Sequence, residues 1–263
     1  MSTKRKVTAT VVSQEMLSEG IYDLRVQTDL AKDALAGQFA ALYPADRSTL
    51  LPRPISICEA DGDEEILRMV YRIAGKGTQE FSGLKSGDAI ELLGVLGNGF
   101  PIGEAAGKKV VLMGGGIGIP PMLGLARALK EADQAAEIHA VLGYRNADLF
   151  LAKEFEAYAQ VHIATEDGSV GVKGNVLTLM AEEKLGADVI MACGPMPMLR
   201  AIAAYAKENG CRAFVSLEER MACGVGACLG CVAKTKEIDH HSHVKNARIC
   251  TDGPVFDVEV LDL

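Results

Sequence analysis

Four cysteines in the last part of the chain have the spacing of iron–sulfur ligands. Three follow the pattern C-x4-C-x2-C and the fourth comes after eighteen further residues; they are Cys223, Cys228, Cys231 and Cys250. Plant-type [2Fe-2S] ferredoxins hold their two irons with cysteines in this arrangement. The small residues between the first three cysteines allow backbone N–H groups to turn toward the cluster sulfurs. The spacing therefore predicts a group that takes up and releases one electron at a time.

Four cysteines can also bind structural zinc or form disulfides. Structural zinc sites usually take two C-x2-C pairs, whereas here three cysteines lie within nine residues and the fourth is distant. Disulfides are typical of secreted proteins, and the first residues of this chain, MSTKRK, do not resemble a signal peptide. We therefore expect an iron–sulfur cluster in a reducing, cytoplasmic compartment, with zinc as the alternative.

Five histidines are a second possible source of metal ligands. His240, His241 and His243 lie between the third and fourth cysteines. A Rieske centre replaces two cysteines with histidines, but this chain already supplies four cysteines, so these histidines are predicted to lie in a solvated loop. His139 and His162 fall within apolar, strand-like runs and are predicted to be packed.

Composition limits the kinds of partner. The chain has 263 residues and a formal net charge of −8, which argues against a basic face that would bind nucleic acid phosphates. Its longest uncharged stretch, residues 110–126, is broken by glycines and prolines and is shorter than the about 20 residues that a membrane-spanning helix needs. We expect a soluble protein that binds neither nucleic acid nor a membrane.

Two hydrophobic periods divide the chain. Alternation with period two at residues 7–12, 21–26, 67–73 and 89–93 predicts an antiparallel barrel or sandwich. Later, buried strands alternate with helices, which predicts a parallel α/β sheet. The predicted strands cover residues 110–113, 138–143, 161–165, 189–192 and 213–217, and the predicted helices cover residues 120–131, 149–159, 175–185 and 197–209. The expected domains are residues 1–102, 103–216 and 217–263, the last being small and dependent on its metal cluster.

A glycine-rich loop lies between the first strand and the first helix of the α/β part. Gly114, Gly115, Gly116 and Gly118 are placed where backbone N–H groups and a helix N-terminus can hold a pyrophosphate. Ile119 occupies the third glycine position of the usual G-x-G-x-x-G pattern, so a tight turn is the alternative. Cys193 ends a later strand, where ligands of open sheets bind, although a buried cysteine also serves as a small apolar residue.

The barrel part contains polar groups suited to an anionic ligand with a planar ring. They are Arg53, Pro54, Ile55 and Ser56, then Val70, Tyr71 and Arg72, then a loop that includes Gly77 and Thr78. Two guanidinium groups, two hydroxyl groups and a glycine-flanked loop can bind such a ligand.

Together these motifs resemble the ferredoxin reductase superfamily, and the residues around the four cysteines resemble its branch of electron-transfer subunits of type B dihydroorotate dehydrogenases. The motifs are Arg53-Pro54-x-Ser56, Gly75-x-Gly77-Thr78, Gly115-Gly116-x-Gly118-x-Pro120 and Cys193-Gly194-Pro195. The resemblance implies an antiparallel β-barrel that binds FAD, a Rossmann-like parallel α/β domain that binds NAD(H), and a plant-ferredoxin-like [2Fe-2S] domain. Val95 stands where relatives are expected to have proline.

The resemblance also assigns residues and partners. It implies that Arg53 to Ser56, Val70 to Arg72, Gly77 and Thr78 hold FAD, that Gly114 to Gly118 hold the NAD pyrophosphate, and that Cys193 lies near the nicotinamide. It implies an FMN-containing catalytic subunit as partner, in a heterotetramer with two copies of each chain. The alternatives are a related NAD(P)H:ferredoxin oxidoreductase, a sulfide dehydrogenase flavin subunit, or a zinc module fused to a nucleotide-binding sensor.

Overall fold

The computed structural model describes residues 4–239 and 243–263. Its first part is a closed antiparallel barrel with the strand order β1-β2-β5-β4-β3-β6, which confirms the barrel prediction. Apolar side chains that alternate along the strands fill its interior, as the period of two requires. The elements are β1 (Arg5–Ser18), β2 (Ile21–Gln27), β3 (Phe39–Tyr43), β4 (Arg53–Asp61), β5 (Ile66–Arg72), α1 (Lys76–Phe81) and β6 (Ala89–Leu96).

The second part is a largely parallel sheet with the order β10-β9-β8-β7-β11-β12-β15, in which β15 (Val255–Asp257) is the last strand of the chain. The chain moves outward from β7 through β8 to β9 and then crosses to β11 on the other side of β7, so the strand order reverses between β7 and β11. This confirms the parallel α/β prediction. The elements are β7 (Lys109–Gly115), α2 (Ile119–Ala132), β8 (Glu137–Tyr144), α3 (Ala152–Phe155), β9 (Gln160–Thr165), β10 (Val172–Lys173), α4 (Val176–Glu182), β11 (Val189–Cys193), α5 (Met196–Asn209) and β12 (Arg212–Ser216).

The helix predicted at residues 149–159 is much shorter in the structure. Only α3 is helical, and it begins after Leu151, which has a left-handed φ of 64°. The carbonyl of Phe150 accepts a hydrogen bond from the Tyr144 hydroxyl instead of joining a helix. Buried Phe155 anchors the segment, so its apolar residues reflect packing of a turn rather than a helical face.

The last part of the chain packs onto the sheet. Two short strands, β13 (Val232–Lys234) and β14 (Asn246–Arg248), pair with each other, and β15 (Val255–Asp257) runs antiparallel beside β12. Cys231, Ile249 and Cys250 belong to the same apolar core as the sheet residues. None of the helices in the described ranges combines the length and the apolar character that a membrane crossing requires.

Candidate redox site

A cavity of about 450 Å³ lies where the barrel, the sheet and the C-terminal segment meet. This volume is in the range of small-molecule and cofactor sites. The barrel contributes Phe39, Arg53, Pro54, Ile55, Ser56, Val70, Tyr71, Arg72, Ala74 and Thr78 to the lining, the sheet side contributes Ile117 and Ser216, and the C-terminal side contributes Leu217 to Met221 and Pro254. The structure thus brings together every residue predicted to hold FAD except Gly77. Gly77 does not line the cavity but packs against the side chain of Arg53, which does.

Gly77 leaves room for the Arg53 side chain. A Cβ at this position would lie 2.7 Å from Arg53 Nε, closer than real atoms approach. Arg53 Nη1 also donates a hydrogen bond to the Leu51 carbonyl, at 2.5 Å. Arg72 and Arg220 add two further guanidinium groups to the cavity. This set of donors fits the diphosphate of a dinucleotide, because guanidinium groups bind phosphate oxygens in pairs.

Buried aromatic packing fixes Tyr71 beside the cavity. Its ring stacks on Tyr22 at 5.8 Å and meets the edge of Phe81 at 6.2 Å. Its hydroxyl donates to Gln14 Oε1 at 2.9 Å. Burial raises the pKa of Tyr71, and Tyr22 raises it further, so the phenol stays neutral.

Glu218 is the functional candidate that sequence reasoning missed. It comes two residues after β12 ends, at the carboxyl edge of the sheet, which is the signal that could have identified it. The Glu218 residue is exposed, but the surface that it exposes forms part of the cavity wall. Burial raises the pKa of its carboxyl, and the positive charge of Arg72 opposes this shift. The cavity therefore contains a carboxyl group that holds its proton to a higher pH than usual.

The glycine loop lies at the point where the strand order reverses, between the ends of β7 and β11. Three of its glycines allow close packing: a Cβ would lie 2.9 Å from Ile119 at Gly114, 2.7 Å from Met198 at Gly115, and 2.3 Å from the Cys193 carbonyl at Gly118. Gly116 differs, because it has a φ of 54° and its Cβ position has no protein atom within 4 Å. The loop packs tightly on one side and leaves its backbone open at Gly116, as a pyrophosphate would need.

Cys193 is fully buried and does not line the cavity. Burial raises the pKa of its thiol, the charge of Glu218 adds to this effect, and a hydrogen bond from Ser216 opposes it. The thiol is therefore neutral. Its position beside Gly118 places it at the same edge of the sheet as the glycine loop, and its role at the nicotinamide stays a prediction.

The four cysteines interact with one another. The Cys228 thiol hydrogen-bonds Cys223, while burial raises the pKa of the Cys250 thiol and both Cys231 and Cys223 raise it further. Within residues 4–239 and 243–263, no three metal-binding side chains converge on one point. These interactions link the fourth cysteine to the loop that carries the other three, as a [2Fe-2S] cluster with four cysteine ligands needs.

Backbone groups point toward the first cysteine of the set. The Val225 N–H donates to Cys223 Sγ at 3.5 Å, and the Cys228 N–H donates at 3.4 Å. Burial raises the pKa of Cys223, but these backbone donors outweigh it and lower the pKa to about 6. Gly224 and Gly226 have left-handed φ angles of 67° and 83°, which favour glycine and give the loop its inward turn. These groups fit an iron–sulfur cluster.

Histidines take no part in this cysteine site within the described residues. His240 and His241 lie outside those residues, and His243 is exposed. His139 and His162 are packed as predicted: their rings are hydrogen-bonded at 3.0 Å, and each ring also contacts one carboxylate.

Two family models match separate parts of the chain. The oxidoreductase NAD-binding domain matches residues 112–204, which contain the glycine loop and the strands from β8 to β11. The iron-sulfur cluster binding domain of dihydroorotate dehydrogenase B matches residues 218–262, which contain all four cysteines. The first match thus contains the glycine loop, and the second contains the cysteine site.

Solved structures share the fold. The structure of an NADH-dependent reduced ferredoxin-NADP oxidoreductase matches with a TM-score of 0.86 and 31% identity, covering 100% of this chain and 91% of that chain. A ferredoxin NADP+ reductase from Neisseria gonorrhoeae with bound FAD and NADP matches with a TM-score of 0.67 and 17% identity, covering 78% of this chain and 92% of that chain. The second match shows the fold alone.

Curated relatives are similar over the whole length. The dihydroorotate dehydrogenase B (NAD(+)) electron transfer subunit of Shouchella clausii is 42% identical over 259 residues, covering 97% of each chain. The protein of the same name from Geobacillus thermodenitrificans is 41% identical over 251 residues, covering 94% of this chain and 95% of that one. The chain therefore belongs to the family of dihydroorotate dehydrogenase B electron transfer subunits.

Proposed function

We propose that this chain carries electrons between NAD(H) and a catalytic partner subunit that oxidises dihydroorotate, through FAD and a [2Fe-2S] cluster. The shared cavity supports this most directly, because it touches the nucleotide side at Ile117 and the cysteine-bearing segment at Met221 and Pro254. FAD supplies the link between the two-electron chemistry of nicotinamide and the one-electron chemistry of the cluster. In the cell, net flow runs from dihydroorotate to NAD+.

The residues have separate tasks in this proposal. Those predicted to hold FAD position it in the cavity, and they are Arg53, Pro54, Ile55, Ser56, Val70, Tyr71, Arg72, Gly77 and Thr78. Gly114, Gly115, Gly116 and Gly118 hold the NAD pyrophosphate, and Cys193 lies near the nicotinamide. Cys223, Cys228, Cys231 and Cys250 hold the cluster. The proposed domains are residues 1–102 for FAD, 103–216 for NAD and 217–263 for the cluster.

The surface around Cys228 is the proposed point of exit for electrons. Cys228 is exposed, and its neighbours Val225 and Leu229 are 42% and 47% exposed. Exposed apolar side chains beside a redox group suit a protein interface. The proposed partner is an FMN-containing catalytic subunit, in a heterotetramer with two copies of each chain.

A cytoplasmic location is part of the proposal. All seven cysteines are free thiols in the structure, and free thiols persist in a reducing compartment.

Anaerobic titration of the purified chain with NADH tests the proposal. We expect both the flavin absorption and the broader iron–sulfur absorption to bleach, and we expect the chain alone not to oxidise dihydroorotate. Adding a purified dihydroorotate dehydrogenase catalytic subunit should then couple dihydroorotate oxidation to NAD+ reduction. A protein that stays colourless after reconstitution with FAD, iron and sulfide would contradict the proposal.

A second candidate function is that of a flavin subunit in a ferredoxin-linked NAD(P)H oxidoreductase. It is favoured by the 31% identity and TM-score of 0.86 with the structure of an NADH-dependent reduced ferredoxin-NADP oxidoreductase. Rapid NADPH oxidation with ferredoxin, without coupling to a dihydroorotate dehydrogenase subunit, would favour this candidate over the first.

A further inference from the structure

Asn98 joins the barrel to the C-terminal segment through four hydrogen bonds. It lies just after β6, and its backbone N–H donates to the Gly253 carbonyl at 2.7 Å. Its side-chain Nδ2 donates to the Asp252 carbonyl at 3.3 Å and to the Val255 carbonyl at 2.9 Å. Its Oδ1 accepts from the Val255 N–H at 3.0 Å. The amide therefore uses both its donor and its acceptor on one short stretch of backbone.

That stretch lies between the cavity and the cysteine site. Cys250 comes two residues before Asp252, and Pro254 lines the cavity. The Pro254 carbonyl also accepts a hydrogen bond from the Leu217 N–H at 2.8 Å, at the entry to the C-terminal segment. A displacement of residues 252–255 would therefore move a cysteine ligand relative to the cavity wall.

The residues before Asn98 form the same contact surface. Gly97 has a φ of 75°, and a Cβ there would lie 2.4 Å from Pro254 and 2.8 Å from the Gly253 carbonyl. A Cβ at Gly224, in the first cysteine loop, would lie 3.1 Å from Leu96. The end of β6 thus contacts both loops that bear cysteines, and Asn98 makes the polar part of this contact.

We propose that Asn98 is a positioning residue for electron transfer between the flavin and the cluster, an inference that rests on the proposed function. An amide suits this place because it donates to two carbonyls and accepts from one N–H, whereas a carboxylate can only accept. Its bonds fix the turn that carries Cys250 and Pro254, so they fix the separation between the cavity and the cluster. The nucleotide side of the cavity, at Ile117, makes none of these bonds, so we expect hydride transfer from NADH not to depend on them.

The test is rapid mixing of the cofactor-loaded full-length Asn98→Ala variant with NADH. The flavin absorption reports hydride transfer, and the iron–sulfur absorption reports the next electron step. We expect flavin bleaching to keep the rate of the unmodified chain and cluster bleaching to slow severalfold, because loss of these bonds lets the segment that carries Cys250 move relative to the cavity, and electron transfer weakens with distance. Asn175→Ala is the control, because the Asn175 side chain is likewise held by backbone groups, accepting from the N–H groups of Leu177 and Thr178, but it starts α4 rather than contacting the C-terminal segment.

A second readout does not depend on electron transfer. Hydrogen exchange of the peptide covering residues 249–256 should become faster in Asn98→Ala and stay unchanged in Asn175→Ala, with iron and sulfide content equal to that of the unmodified chain. If Asn98→Ala does not fold, Asn98→Asp gives the decision, because it keeps the acceptor and loses both side-chain donors. The same selective slowing is expected there.

Three results would overturn the inference. They are unchanged cluster bleaching, equal slowing of both steps, and unchanged exchange in residues 249–256. Failure of the proposed function would look different, because the unmodified chain itself would then show no cluster bleaching with NADH.

Discussion

The barrel contacts the rest of the chain in two places, which we call joints, and their chemistry differs. One joint is with the sheet and its helices, and the other is with the C-terminal segment. At the joint with the sheet, Arg68 is only 4% exposed and binds Asp23 at 2.8 Å, Glu59 at 2.7 Å and Glu154 at 2.6 Å. Burial disfavours the charged guanidinium, but the carboxylates outweigh it and raise the pKa of Arg68. At the joint with the C-terminal segment, Asn98 binds backbone groups without any charge.

The joint with the sheet is also the tighter one. A Cβ on Gly124 of α2 would lie 2.1 Å from the Cys58 carbonyl of β4. The start of α2 follows the glycine loop, and the start of β4 carries Arg53 to Ser56. In the proposed function, this joint would set the geometry between nicotinamide and flavin, where hydride transfer demands close alignment. The other joint would set the path of single electrons from the flavin to the cluster.

Removal of a cluster ligand should have the largest effect, and this effect should be confined to the electron steps after the flavin. We expect Cys250→Ser to lose the iron–sulfur absorption and all coupling to the partner subunit, because a hydroxyl is a poor substitute for a thiolate on iron. Flavin bleaching by NADH should remain. Metal and sulfide analysis with the NADH titration measures both effects. Cys211→Ser, a change at a half-buried cysteine outside the set, is the control, and equal iron content in the two variants would contradict the ligand assignment.

Removal of the buried cation should destabilise the charged joint. Arg68→Met leaves Asp23 and Glu59 without their main cation, and breaking a buried ion pair costs about 3–5 kcal/mol. Chemical denaturation measures the free energy of unfolding. Arg212→Met is the control, because Arg212 is exposed beside Glu104 and Asp257, and exposed pairs are worth about 1 kcal/mol or less. Similar losses in the two variants would show that Arg68 does not stabilise this joint.

Widening the tight joint should slow hydride transfer. In Gly124→Ala the new methyl group forces α2 away from β4, and overpacking of this kind costs about 1–3 kcal/mol. We expect the flavin-bleaching rate at saturating NADH to fall by about 10- to 100-fold, as for a misplacement near 1 Å. The control is Gly186→Ala, where the Cβ position has no atom within 4 Å. A changed KM with an unchanged maximal rate would contradict the assignment of this joint to hydride geometry.

The barrel, the parallel sheet and the cysteine ligand pattern were predictable, because each has a short-range signal: period two, strand–helix alternation, and C-x4-C-x2-C. The joints were not predictable in this way. Asn98 forms hydrogen bonds with residues more than 150 positions away. Arg68 binds Glu154, and the sequence of β5, which carries Arg68, shows only the alternation of an ordinary barrel strand. The predicted small domain in residues 217–263 shares its core with the sheet, because β15 pairs with β12 through a contact that no local pattern encodes.

The smallest predicted effect concerns Glu218, which lines the cavity just after the end of β12. Burial raises the pKa of its carboxyl in the folded chain, so the folded state binds more protons than the unfolded state above the ordinary titration range of glutamate. Its stabilising contribution is present at low pH and is lost as the pH rises through the raised pKa. The glutamine in Glu218→Gln cannot ionise and escapes this loss.

Thermal melting of the cofactor-loaded chain from about pH 4 to about pH 8 measures this difference, since stability follows the protons bound in each state. We expect the melting temperature of Glu218→Gln, relative to that of the unmodified chain, to increase as the pH rises. Glu64→Gln, at an exposed position on the barrel, corrects for the loss of one surface charge. A difference between the two variants that does not change with pH would mean that the Glu218 carboxyl is solvated like a surface group. The cavity wall at the end of β12 would then be open to water.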